Sequence, residues 1–251
     1  MKMNKILPLS ALLLCTGMTA QQANAAISLD RTRIVFNGGE KSQSLTVSNQ
    51  NKQLPYLAQG WIEDTQGNKI QTPLTILPPV QRIEPGAQSQ IKIQALPGAN
   101  LLAQDRESLF YFNLREIPPK SDKPNTLQIA LQTRIKLFYR PASIVPTKTQ
   151  MAAPWQEKLT LTRQGDSYQL NNPTPYFITL VDAGSKPNAE GVKGFEPVMV
   201  PPKGQAPLGV NAGVLGANPV LTYINDYGGR PQLKFTCSGT TCSATPVKDS
   251  K

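Results

Sequence analysis

Apolar side chains recur at every second position along most of this chain. The stretches "SQSLTVSN" (42–49), "SQIKIQAL" (89–96) and "SLFYFNLREI" (108–117) alternate apolar with other residues. That is the period of a strand with one buried face. The same period marks "ISLDRTRIVF" (27–36), "PYLAQGWIED" (55–64) and "TLQIALQTRIKLFYR" (126–140). Asn37-Gly38-Gly39, Gly67-Asn68 and Glu84-Pro85-Gly86 supply turns between them. The rhythm resumes in "EKLTLTRQ" (157–164), "SYQLNN" (167–172), "YFITLVDAG" (176–184), "EPVMVPP" (196–202), "PVLTYIND" (219–226) and "PQLKFTC" (231–237), with hairpin turns at Gly165-Asp166 and Gly228-Gly229. No segment carries a helical stripe longer than two turns, and the best candidate, "LLAQDRES" (101–108), reads as a short connector. The pattern therefore predicts an all-β chain of two sandwiches. They part at "IVPTKTQMAAP" (144–154), which lacks periodicity and carries two prolines. "SKPNAEGVKGFEP" (185–197) and "NAGVLGANPV" (211–220) read as loops.

The first residues follow a different rule. Lys2 and Lys5 precede a mostly apolar run, Ile6 to Leu14, and Ala23-Asn24-Ala25 closes the segment. This is the pattern of a secretory signal peptide cleaved after Ala25. Its apolar core is too short for a span, which needs about 20 apolar residues. The expected organisation is thus a signal peptide at 1–25, one sandwich at 26–145 and a second at 146–251. Removing the leader's two lysines takes the formal net charge from +10 to +8. It also removes Cys15, leaving Cys237 and Cys242 in "CSGTTC". A cysteine pair this close in a secreted chain points to a disulfide pinning a local hairpin, and the periplasm is the expected compartment.

Composition narrows the chemistry. There is no histidine, which removes Ser-His and Cys-His nucleophile pairs and the commonest metal ligand. No phosphate-binding loop or dinucleotide glycine fingerprint occurs. No catalytic residue, metal ligand or cofactor is expected, and no enzymatic activity. The basic excess does not suggest nucleic acid, since the chain is secreted and has no dense basic run; nor is membrane insertion expected. A solvated basic surface or a carboxylate-bearing partner accounts for it. With 6% aromatic residues, a carbohydrate-binding sandwich has little to stack on.

The stretch from Thr126 to Arg140 combines two unlike halves. Leu127, Ile129 and Leu131 alternate with Gln128, Ala130 and Gln132, after which Arg134, Lys136 and Arg140 gather positive charge. The three aliphatic residues share one face of a strand. On periodicity alone they could face their own sandwich, or they could be offered to something else.

Three stretches decide between these. "LAQDRESLFYFNLREIP" (Leu102–Pro118), the opening "ISLDRTRIVF" and "INDYGGRP" (224–231) together resemble the periplasmic chaperones of the chaperone–usher pilus pathway, nearest to the P-pilus type. The short connection from Pro118 to Thr126 is similar to the branch serving rod-like pili. The resemblance implies a boomerang of two immunoglobulin-like domains. It also implies a function: a pilus subunit lacks its last strand, and the chaperone lends one, with Leu127, Ile129 and Leu131 filling the subunit's core before delivery to an outer-membrane usher. Arg33 and Lys136 would anchor the subunit's C-terminal carboxylate, and Glu107, Arg140 and Asp226 would form an interdomain ion network. Lys136 lies an odd number of residues beyond Leu131, on the opposite face of a regular strand. An uncovered edge of this kind also carries a risk of self-association in the subunit-free protein. The alternative is a structural pilus or adhesin component; it would need an N-terminal extension with its own apolar row, whereas here the chain runs directly into "ISLDRTRIVF".

Overall fold

The computed structural model describes residues 25–247; the expected leader before Ala25, with Cys15, lies outside them, as do the last four residues. Ten strands form the first domain: β1 Ile27–Leu29, β2 Arg33–Asn37, β3 Ser42–Asn49, β4 Tyr56–Glu63, β5 Lys69–Ile70, β6 Leu74–Leu77, β7 Val80–Ile83, β8 Gln88–Ala95, β9 Ser108–Ile117 and β10 Gln132–Arg140. They make two sheets, β1-β3-β8-β6 and β2-β10-β9-β4-β5, with β7 paired to β4. Alternate residues of both sheets meet in one core that includes Phe36, Leu45, Ile91, Phe112 and Leu137. The second domain holds β11 Thr160–Gln164, β12 Ser167–Asn172, β13 Ile178–Gly184, β14 Val198–Val200, β15 Gly204–Asn211, β16 Val220–Ile224, β17 Gln232–Ser238 and β18 Thr241–Pro246. These run β14-β13-β16-β17-β18-β11-β12-β15 and close over a second core around Leu161, Leu170, Leu180 and Phe235. The architecture is all-β in two domains, as the period-two pattern predicts.

Two predicted strands are corrected. The stretch 27–36 is not one strand: β1 pairs antiparallel with β3, whereas β2 pairs parallel with β10 in the other sheet. Asp30 ends the first piece, its N–H donating to the Thr46 carbonyl and its side chain accepting the Thr46 N–H. The chain then crosses between sheets at Arg31-Thr32. The second correction concerns 126–140, where the ladder begins only at Gln132. Residues 126–131 precede it without strand pairing, apart from the Leu131 carbonyl accepting the Glu116 N–H at 3.0 Å.

Strands β5, β6, β7, β15 and β18 escape the sequence pattern because each is brief, interrupted by Gly or Pro, or weakly apolar. The connector near 101–108 has its 3-10 turn earlier, at Pro97–Leu101, and the break between the domains holds a short helix, Lys148–Ala152, capped by Thr147. The expected loop 211–220 contains a four-residue helix, Ala212–Leu215, while 185–197 has neither helix nor strand. Cys237 and Cys242 face each other across the β17–β18 hairpin and are disulfide-bonded. Among the described residues no helix is long and apolar enough to cross a membrane.

Candidate functional site

Strand β10 sorts its side chains by parity. Leu137 and Tyr139 enter the first core, with Ile135 packed against it. Arg134, Lys136, Phe138 and Arg140 therefore point to the opposite face of the sheet, and for the last three that face looks toward the second domain. Leu127, Ile129 and Leu131 have the parity of the core row but lie beyond the end of the core. They are 83%, 64% and 40% exposed. The strand begins only at Gln132, so the odd offset between Leu131 and Lys136 spans its start and does not fix the two rows on opposite faces.

The β2–β10 register makes Arg33 and Lys136 direct cross-strand partners. Both reach across to the second domain. Arg33 donates from Nη1 to the Ile224 carbonyl at 3.0 Å, and Lys136 donates from Nζ to Thr179 Oγ1 at 3.3 Å. Arg33 is buried, its guanidinium 5.8 Å from the centre of the Phe138 ring, and its Nε has no hydrogen-bond partner among the described residues. Phe138 in turn packs against Phe177 of the second domain. Neither cation forms an ion pair among the described residues, whereas neighbouring Arg134 is paired with Glu63 and Arg31 with Asp30. Burial depresses the Lys136 ammonium below its ordinary value, and the adjacent positive charge of Arg33 adds to the shift. Burial likewise lowers Arg33, against the pull of Asp226 and Glu107. Two partly desolvated cations thus stand side by side with only neutral oxygens as partners among the described residues, an arrangement that a nearby anion would stabilise.

Arg140, at the end of the same face, is fully engaged. It contacts Glu107 at 2.7 Å and grips Asp226 with two donors, at 2.8 and 3.2 Å. The other Glu107 oxygen accepts the Phe177 N–H at 2.8 Å, so one carboxylate ties the first domain's cation to the second domain's backbone. Tyr176 and Trp155 flank the guanidinium at 4.8 and 5.4 Å. Burial works against the charged guanidinium, but the Asp226 hydrogen bonds and the two nearby carboxylates outweigh it and hold Arg140 above its ordinary value. Burial also raises Glu107, opposed by Arg140 and the Phe177 N–H. The "INDYGGRP" stretch turns beside this network. At Gly228, φ is +85° and an added Cβ would sit 2.8 Å from Thr32 Oγ1, so the turn meets the β1–β2 crossing with room for glycine only.

Thr179, the Ile224 carbonyl, Phe138, Phe177 and the Trp155–Tyr176 pair were not singled out in the sequence. Only Phe138 carried a signal: it shares parity with Lys136 and Arg140 and is the apolar member of an otherwise cationic row.

Residues 26–145 match the family described as "Pili and flagellar-assembly chaperone, PapD N-terminal domain", and residues 154–235 match "Pili assembly chaperone PapD, C-terminal domain". The chain belongs to the PapD family of pilus-assembly chaperones. It is similar to the Chaperone protein PapD of Escherichia coli, 53% identical over 230 residues, which cover 90% of this chain and 92% of that one. The Probable fimbrial chaperone YfcS of Escherichia coli (strain K12) is 50% identical over 240 residues, covering 96% and 94%. Among solved structures, the periplasmic chaperone SfaE aligns with a TM-score of 0.66 at 32% identity, over 84% of this chain and 100% of that one. A chain from the complex of the Salmonella enterica SafA pilin with the SafB chaperone shares the fold, with a TM-score of 0.69 at 24% identity over 85% and 97%.

Proposed function

We propose that this chain is a periplasmic chaperone that completes unfinished pilus subunits by lending them the segment 126–131 together with the open edge of β10, and that it passes them to an outer-membrane usher. One observation carries the reading: an exposed apolar row, Leu127, Ile129 and Leu131, leads into a strand edge that ends beside two cations without a counter-ion. The β2 ladder begins at Arg33 opposite Lys136, so among the described residues Gln132 to Ile135 have a partner only on the β9 side. A guest strand on the free side, with its C-terminal carboxylate held by Arg33 and Lys136, runs in the direction of β2 and hence parallel to β10.

Strand addition of this kind takes affinity from backbone hydrogen bonds and register from alternate side-chain pockets. Three aliphatic side chains entering a subunit core contribute roughly 1.5–3 kcal/mol each, offset by the entropy of ordering the segment. The carboxylate anchor fixes register, because a slip of one residue would turn the apolar row to the wrong face. The names of the relatives, fimbrial chaperones, agree with this function, and nothing in the proposed mechanism requires a cofactor. The test is co-expression of a tagged copy with candidate subunits and mass spectrometry of the periplasmic material that co-purifies. Recovery of pilus subunits from the parent but not from Lys136→Ala supports the proposal; equal recovery from both removes the anchor.

A further inference from the structure

The two cations are matched by a pair on the other domain. Thr179 and Ile224 are direct cross-strand partners of β13 and β16, as Lys136 and Arg33 are of β10 and β2. The two pairs meet face to face, one bond from Lys136 to the Thr179 hydroxyl and one from Arg33 to the Ile224 carbonyl. Thr179 is buried, 4% exposed, although it lies on a strand that faces the cleft. Left alone, adjacent ammonium and guanidinium groups would swing apart, and a lysine stem has the rotamers to do so. Acceptors supplied at a fixed spacing by a sheet oppose that.

We infer that Thr179 is a positioning residue of the anion receptor: the second domain, through the Thr179 hydroxyl and its cross-strand neighbour's carbonyl, holds the two cations of the first domain together at the spacing a carboxylate needs. This rests on the carboxylate-anchor reading above. The receptor is then built from both domains, and neither half alone presents it. The Arg140–Asp226 pair, four residues further along the same face of β10, is a second contact between the two domains.

The probe is a short extended peptide of alternating apolar and polar residues, prepared with a free C-terminal carboxylate and as its C-terminal amide. The full chain binds the carboxylate form more tightly if the anchor exists. Thr179→Val keeps the shape and removes the acceptor; it is expected to lower affinity for the carboxylate peptide about tenfold while leaving the amide unchanged, and Thr179→Ser is expected to restore the preference. Thr179→Ala serves as the second variant if the valine form does not fold. An undiminished preference in a folded valine or alanine variant, or an equal loss for both peptides, overturns the role of Thr179 and leaves the anchor standing. A parent chain that binds both peptides equally overturns the anchor and Thr179 with it.

Discussion

Lys136 and Arg33 differ from the neighbouring arginines in what surrounds them, not in their chemistry. Arg134 stacks on Tyr111 and pairs with Glu63, and Arg31 pairs with Asp30, so both have already met their charges. Lys136 and Arg33 instead sit half-buried to buried with neutral oxygens as partners. Replacing Lys136 by alanine is expected to leave the fold intact, since it relieves a like-charge contact. It should cost the interaction with a carboxylate about 1.5–3 kcal/mol, or roughly ten- to a hundredfold in affinity, measured by titration with a carboxylate-terminated peptide. The depressed Lys136 value also sets a pH signature. In the folded, unliganded chain the group binds fewer protons than in the unfolded chain between its lowered value and the ordinary 10.5. Its contribution to stability is therefore complete above 10.5 and is lost as pH falls through the lowered value. Binding runs the other way, because a carboxylate needs the ammonium. Affinity should hold at neutral pH and fall on the alkaline side before an ordinary lysine would titrate. Lys136→Arg should abolish that alkaline fall; a parent profile that stays flat up to 10.5 contradicts the assignment.

At the scale of the element, strand β10 and the segment that precedes it are held differently. From Gln132 onward the strand is held by β9, and from Lys136 also by β2. The preceding six residues present apolar side chains with no ladder to hold them. A charge introduced there has little to disturb in the free protein but, under the proposed strand donation, would have to be desolvated in a guest's core. Ile129→Glu is expected to leave the melting temperature of the free chaperone within a degree or so, as for most exposed sites, while weakening subunit capture by several kcal/mol. Unchanged capture in a pull-down would mark Ile129 as ordinary surface. The corresponding change at Ile135, whose side chain packs against the core, should instead destabilise the domain.

Over the whole molecule, Arg140 fastens the end of β10 to the second domain through Glu107 and Asp226. Glu107 is nearly inaccessible whereas Asp226 is partly exposed, so the two carboxylates are unequal. Glu107→Ala removes the buried counter-ion and the acceptor of the Phe177 N–H together. The expected loss is on the order of 3 kcal/mol, the lower end for breaking a buried pair because Asp226 still faces the guanidinium. Guanidinium denaturation should show a lower midpoint, and small-angle scattering a wider distribution of domain angles. Parent-like behaviour in both experiments would deny the network a role in setting the angle.

The class and most of the strands follow from the order of residues alone. Period two and regular turns fixed β3, β9 and β12 at their full lengths, because a strand with one buried face writes its geometry directly into the order of residues. Cysteine spacing sufficed for the hairpin disulfide for the same reason: both ends are local. Features that depend on residues distant in the chain emerge only once the chain is folded. A continuous apolar pattern at 27–36 could not reveal that Asp30 would meet Thr46 and send the two halves to different sheets. Nor could a list of arginines and lysines tell Arg134, neutralised by Glu63 from a strand 71 residues away in sequence, from Lys136, which has no such neighbour among the described residues. Charge becomes available for binding only after folding has chosen which partners come within reach.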